Sequence, residues 1–64
     1  MRVNKIKVSV LMAKQELNQT SLANKAHMSR NNLSIIMNGK SCRIETALKI
    51  AEALGVDVTD IIEQ

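Results

Sequence analysis

Between residues 17 and 40 the apolar residues Leu17, Leu22, Ala26, Met28, Leu33 and Ile36 recur at helical rather than alternating intervals. Polar residues fill the positions between them, and two of these stand where helices begin. Asn18 and Ser29 can each accept a bond from a backbone N–H left unpaired in a first helical turn. Each is preceded by an apolar residue and followed by another four positions later, Leu17 with Leu22 and Met28 with Leu33. That spacing is a hydrophobic staple, which fixes how the chain enters a helix. Ala26-His27-Met28 leaves a turn of about three or four residues, the length that joins the helices of a helix-turn-helix unit. Asn38-Gly39 ends the second helix, because glycine accepts the left-handed conformation common there.

Outside this stretch the pattern is less uniform. In residues 1 to 16, Ile6, Val8 and Val10 alternate as a strand would. Ile6, Val10 and Ala13, or Val8, Leu11 and Met12, equally mark helical faces, and residues 11 to 17 are good helix formers. A strand here has no partner elsewhere in the chain, and residues 1 to 3 carry no assignment. Beyond the short basic loop Ser41-Cys42-Arg43, the residues Ile44, Ala47, Leu48, Ala51 and Leu54 repeat at helical spacing, with Lys49 and Glu52 opposite. Gly55 stands as a C-terminal cap. Asp57 offers a fresh cap, and Val56 with Ile61 a third staple, predicting a last helix over residues 57 to 63. The expectation is five helices and no sheet.

Composition narrows the fold. Sixty-four residues, 45% of them apolar and none aromatic, make one domain over residues 1–64 with an aliphatic and methionine core. One cysteine forms no internal disulfide and suits a reducing, cytoplasmic setting. No signal peptide and no membrane-spanning run is present. Residues 1 to 43 hold eight Lys or Arg against Glu16, a balance of +7, whereas residues 44 to 64 hold Lys49 against five acids, a balance of −4. Such asymmetry fits one face turned to phosphates and one turned away, or simply a solvated surface of uneven charge.

Leu17-Asn18-Gln19, Leu22-Ala23, Met28-Ser29-Arg30, Leu33-Ser34, Ile36 and Asn38-Gly39-Lys40 form an ordered set, followed by Glu45 to Ala51 and Leu54-Gly55-Val56. The set resembles the Cro/C1-type helix-turn-helix regulators, which include phage repressors, Cro proteins and many small bacterial transcription factors. The resemblance covers nearly the whole chain. It implies an all-α, five-helix, lambda-repressor-like domain with helices 2 and 3 as the motif, and it supplies a first helix over residues 4 to 15. Ala23 fits the small residue needed where the motif helices approach most closely. The implied function is a transcriptional regulator of the repressor kind that binds an operator in double-stranded DNA with helix 3 in the major groove. A homodimer on that DNA is expected, because one module of this size buries little surface and the adjacent Ile61 and Ile62 cannot both face the same small core.

On this resemblance Arg30 and Asn31 match the leading base-contacting positions, with Ser34 and Ile35 one turn on. The guanidinium of Arg30 suits guanine O6 and N7, and Asn31 suits adenine N6 and N7. Ile35 is apolar where polar residues are usual, and either meets a thymine methyl or packs on a neighbouring helix. Gln19 lies in the first turn of its helix, where backbone N–H groups favour an anion. With Asn32, Asn38, Lys40 and Arg43 it is expected to hold phosphates, which fix register without reading sequence. Lys5, Lys7 and Lys14 add general attraction or serve solubility.

Two departures from the family pattern stand out. His27 occupies a turn position where relatives favour glycine. Met12 and Met37 stand where many relatives pair an arginine with a glutamate, so two flexible apolar chains replace an ion pair. One histidine and one cysteine make no zinc set. With no Gly-rich phosphate loop, paired carboxylates or Cys–His arrangement, no enzyme, metal or cofactor is expected. The alternative function is a helical protein-interaction module, such as an antitoxin or anti-repressor, with a protein partner; the methionines and Ile61-Ile62 permit it.

Overall fold

The computed structural model describes residues 1–63; Gln64, the last residue of the expected domain, lies outside them. Four helices follow in order: α1 Lys5–Lys14, α2 Gln19–Lys25, α3 Arg30–Met37 and α4 Ile44–Leu54. Local chemistry starts three of them. Asn4 Oδ1 accepts the Lys7 N–H at 3.0 Å, and Ser29 Oγ accepts the Asn32 N–H at 3.0 Å. At α2 the cap is reciprocal: Asn18 Oδ1 accepts the Ser21 N–H at 2.8 Å, and Ser21 Oγ accepts the Asn18 N–H at 2.9 Å. Two orphan donors are thereby satisfied at once. Arg43 stands at the head of α4 without a side-chain capping bond.

All four helices end alike. A left-handed residue follows the caps Gln15, Ala26 and Asn38, at Glu16 (φ 56°), His27 (φ 57°) and Gly39 (φ 110°), and at α4 the cap Gly55 (φ 72°) is itself left-handed. The next amide then reaches back five residues: Leu17 to Met12 (2.9 Å), Met28 to Ala23 (3.0 Å), Lys40 to Ile35 (3.3 Å) and Val56 to Ala51 (3.0 Å). These are Schellman closures, which satisfy carbonyls left open by a helix end. Only two of the four use glycine.

The core is formed by Val3, Val8, Met12, Leu22, Ala23, Leu33, Ile36, Met37, Ile50, Ala51, Leu54 and Ile61. Leu22 and Leu33 have no exposed surface, and Leu17 and Met28, their staple partners, are partly buried against the core. Truncating a leucine so placed costs about 2–5 kcal/mol, a large share of the stability of so small a domain. On α4 the buried face is Ala47, Ile50, Ala51 and Leu54, whereas Ile44 and Leu48 remain 43% and 44% exposed. The expected core face is therefore corrected by one flank, with Ile50 inside and Ile44 and Leu48 outside.

The expected fifth helix over residues 57 to 63 is replaced by a single 3-10 turn, Val58–Asp60. Asp57 caps it as expected, its carboxylate accepting from the Thr59 N–H at 3.0 Å and the Thr59 hydroxyl at 2.9 Å. What stops the helix is a competing partner. Val3 and Ile62 form an isolated antiparallel bridge, the Asn4 N–H donates to the Ile61 carbonyl (2.6 Å), and the Glu63 N–H donates to the Arg2 carbonyl (2.9 Å). Backbone groups that would continue a helix are used across the chain instead. Residues 1 to 3, unassigned from sequence, thus gain a partner at the opposite end, and this isolated bridge adds no strand or sheet among the described residues. It also buries Ile61 fully, while Ile62 packs partly against the same core rather than forming a free apolar tail.

Candidate nucleic-acid interface

α2 and α3 are joined by Ala26 to Ser29, and the bend is set by backbone geometry at His27. With φ at 57°, His27 turns the chain so that Met28 returns to Ala23, both close to or within the core. A left-handed histidine is sterically less favourable than a left-handed glycine. The near-complete burial of Ala23 and Ala26, at 1% and 2% exposure, lets the two helices approach closely.

This packing divides α3 into two faces. Leu33, Ile36 and Met37 are buried, while Arg30, Asn31, Asn32 and Ile35 are exposed and Ser34 is half-buried. All four residues expected at base edges therefore lie on α3 with at least part of their surface open. Ile35 is 41% exposed and stands outside the hydrophobic core. Its covered part faces the groove it shares with Thr46 and Lys49 of α4.

The residues expected to hold phosphates divide into groups. Asn32, Lys40 and Arg43 line one groove together with Ile35. Lys49 and His27 line the same groove, so the basic lining is wider than the sequence suggested. The helical repeat places Lys49 only on the outer side of its helix, and its closeness to the α3–α4 loop depends on tertiary packing. Gln19 lies apart from that groove, half-buried, with its Nε2 3.9 Å from Met37 Sδ. Asn38 is engaged within the protein. Its Nδ2 donates to the Ser34 carbonyl at 2.8 Å, and its Oδ1 accepts from Lys5 Nζ at 3.1 Å. The ammonium of Lys5 is thereby brought to the C-terminal end of α3, which no local pattern indicated.

The loop between α3 and α4 is fastened by the start of the chain. The Cys42 N–H donates to the Met1 carbonyl at 2.7 Å, and the terminal amino group of Met1 donates to Ser41 Oγ and the Cys42 carbonyl, each at 3.1 Å. Partial burial pushes the Cys42 thiol above its ordinary pKa, an effect the nearby amino group opposes. Among the described residues no group of three His, Cys, Asp or Glu side chains could hold a metal ion, and no helix is long and apolar enough to cross a membrane.

A capped helix pair of this kind, with an open polar face on its second member, defines a helix-turn-helix domain. The sequence profile of the Cro/C1-type HTH DNA-binding domain matches residues 7–64, and the chain belongs to that family. The fold is also similar to part of a solved structure, Phpd with cadmium complexed with hydroethylphosphonate (HEP). The TM-score is 0.83 at 20% identity, over 100% of this chain and 14% of that one. At that identity the likeness establishes the fold alone, and this chain spans only a small part of that protein's length. No curated protein matches the chain.

Proposed function

We propose that the 64 residues form one domain of a sequence-specific transcriptional regulator, a cytoplasmic repressor that binds operator DNA as a homodimer. The observation that carries this reading is the open face of α3 within a Cro/C1-type domain. With α3 in the major groove, Arg30 and Asn31 address guanine and adenine edges, and Ser34 and Ile35 lie one turn further along. Gln19, Asn32, Lys40 and Arg43 hold the phosphates on either side, Asn38 acts through its bond to Lys5, and Lys49 joins them from α4. Two recognition helices about 34 Å apart would read a palindromic site. A single module this small buries too little surface for tight specific binding alone.

The reading is tested by selecting bound sites from a random DNA pool across a series of salt concentrations. Affinity is expected to fall steeply with salt as counterions are released. Arg30→Ala is expected to cost about 1–3 kcal/mol and relax preference at one base pair, whereas Lys40→Ala weakens all sequences alike. An unchanged selection profile for Arg30→Ala would refute the placement of α3. The second reading, a protein-interaction module such as an antitoxin or anti-repressor, is favoured by one observation, the exposure of Ile6 and Val10 on α1. Salt-insensitive failure to bind any duplex would turn the balance to it.

A further inference from the structure

Helix α1 is apolar on two sides. Val8 and Met12 enter the core, while Ile6 and Val10 are 75% and 48% exposed. A surface helix of a small domain ordinarily places polar residues opposite its buried stripe, so a second apolar stripe marks a surface that meets something. Ile6 and Val10 line a groove of about 330 Å³ with Leu11 and Val56, and its remaining lining residues are Lys7 and Asp60. Lys7 stands on α1, and Asp60 on the 3-10 turn. Neither belongs to an ion pair among the described residues, where Arg2 and Glu63 form the pair present.

We propose that this groove is the interface between two copies of the chain, related by a twofold axis, with Lys7 of each protomer against Asp60 of its partner. A twofold contact presents the same patch on both sides, so the patch must complement itself. One base and one acid, on different elements of one apolar groove, meet that condition. The axis brings each charge against its opposite twice and covers Ile6 and Val10 at the centre. A nucleic acid is a poor occupant, because the two charges cancel and the walls are apolar. An anionic membrane surface is disfavoured by Asp60 for the same reason. The inference rests on the reading of the protein as a dimer on DNA, to which it adds the surface and the pairing.

The test uses Lys7→Glu and Asp60→Lys, both at exposed positions, in sedimentation equilibrium of the full chain at low salt. Circular dichroism confirms that each variant is folded. Each variant alone is expected to self-associate at least tenfold more weakly than wild type, because like charges then face each other twice. Their equimolar mixture is expected to recover the dimer, since residue 7 of either variant then meets an opposite charge at residue 60 of the other. Wild-type protein that stays monomeric on a palindromic duplex would overturn the proposal. So would single variants that dimerise like wild type, or a mixture that remains monomeric. A Leu48→Glu variant supplies the control at the other exposed apolar pair on α4, and loss of the dimer there alone would also overturn it. Sequence preference on a half-site duplex is measured in parallel, so failure of the DNA reading is seen separately from failure of the interface.

Discussion

Gln19 and Met37 are joined across the motif, the Gln19 side-chain amide pointing at the Met37 sulfur from 3.9 Å. A thioether is a weak acceptor, so the contact guides Gln19 rather than fixing it. Met37 itself is buried, as is Met12, in one core cluster. The resemblance to the Cro/C1-type regulators implies an arginine and glutamate pair at these two positions, which motivates a direct test. Met12→Arg and Met37→Glu are each expected to cost about 3–5 kcal/mol by burying a lone charge. The double variant is expected to recover part of that loss, with a coupling of about 0.5–3 kcal/mol. Urea unfolding followed by circular dichroism measures it, the chain having no aromatic fluorophore. Strict additivity would mean that the two side chains do not meet.

The helix endings predict stabilising substitutions. Glu16 and His27 are left-handed without being glycine, a conformation that costs roughly 1–2 kcal/mol per residue. Glycine relieves this but adds about 0.5–1 kcal/mol of unfolded-chain entropy. Glu16→Gly and His27→Gly are therefore each expected to gain up to about 1 kcal/mol in urea midpoint analysis. Gly55→Ala is expected to lose stability, although open space surrounds the position where its Cβ would stand, because φ is 72°. A stable Gly55→Ala protein would show that this ending tolerates a side chain.

Ile35 is expected to read the 5-methyl group of thymine. Its exposure on α3 supplies the motive, and the probe is a selected site in which single thymines are replaced by uracil. Loss of one buried methyl corresponds to about 0.8 kcal/mol, or roughly fourfold in affinity. Wild type is expected to show that loss at one position and Ile35→Ala to show none. Equal sensitivity in both proteins would assign the methyl to another residue.

Asp57 predicts a weakness toward acid. The Thr59 backbone N–H, and then its hydroxyl, hold the Asp57 carboxyl below its usual pKa. A depressed carboxyl stabilises the fold fully above its unfolded pKa, and that contribution is lost as pH falls through the folded value. Asp57→Asn is expected to remove this part of the pH dependence below about pH 4. Unfolding curves from pH 6 to 2 that are parallel for the two proteins would refute it.

Local chemistry made much of the molecule legible. Asn18, Ser29 and Gly39 mark helix ends through bonds to neighbours a few residues away, so a reader of the chain can place α2, the turn and α3. The helical repeat likewise indicated Leu22, Leu33 and Ile36 as buried, and the ordered motif indicated the family. Tertiary structure decided what depends on distant partners. A cap at Asp57 and a staple from Val56 to Ile61 predict a helix, yet Asn4 and Arg2 take the backbone groups of Ile61 and Glu63, and only one 3-10 turn forms. On α1 the pairs Ile6 with Val10 and Val8 with Met12 have the same helical spacing, so periodicity alone could not say which faces inward. In each instance the deciding group lies far away in sequence, where local propensity carries no information about it.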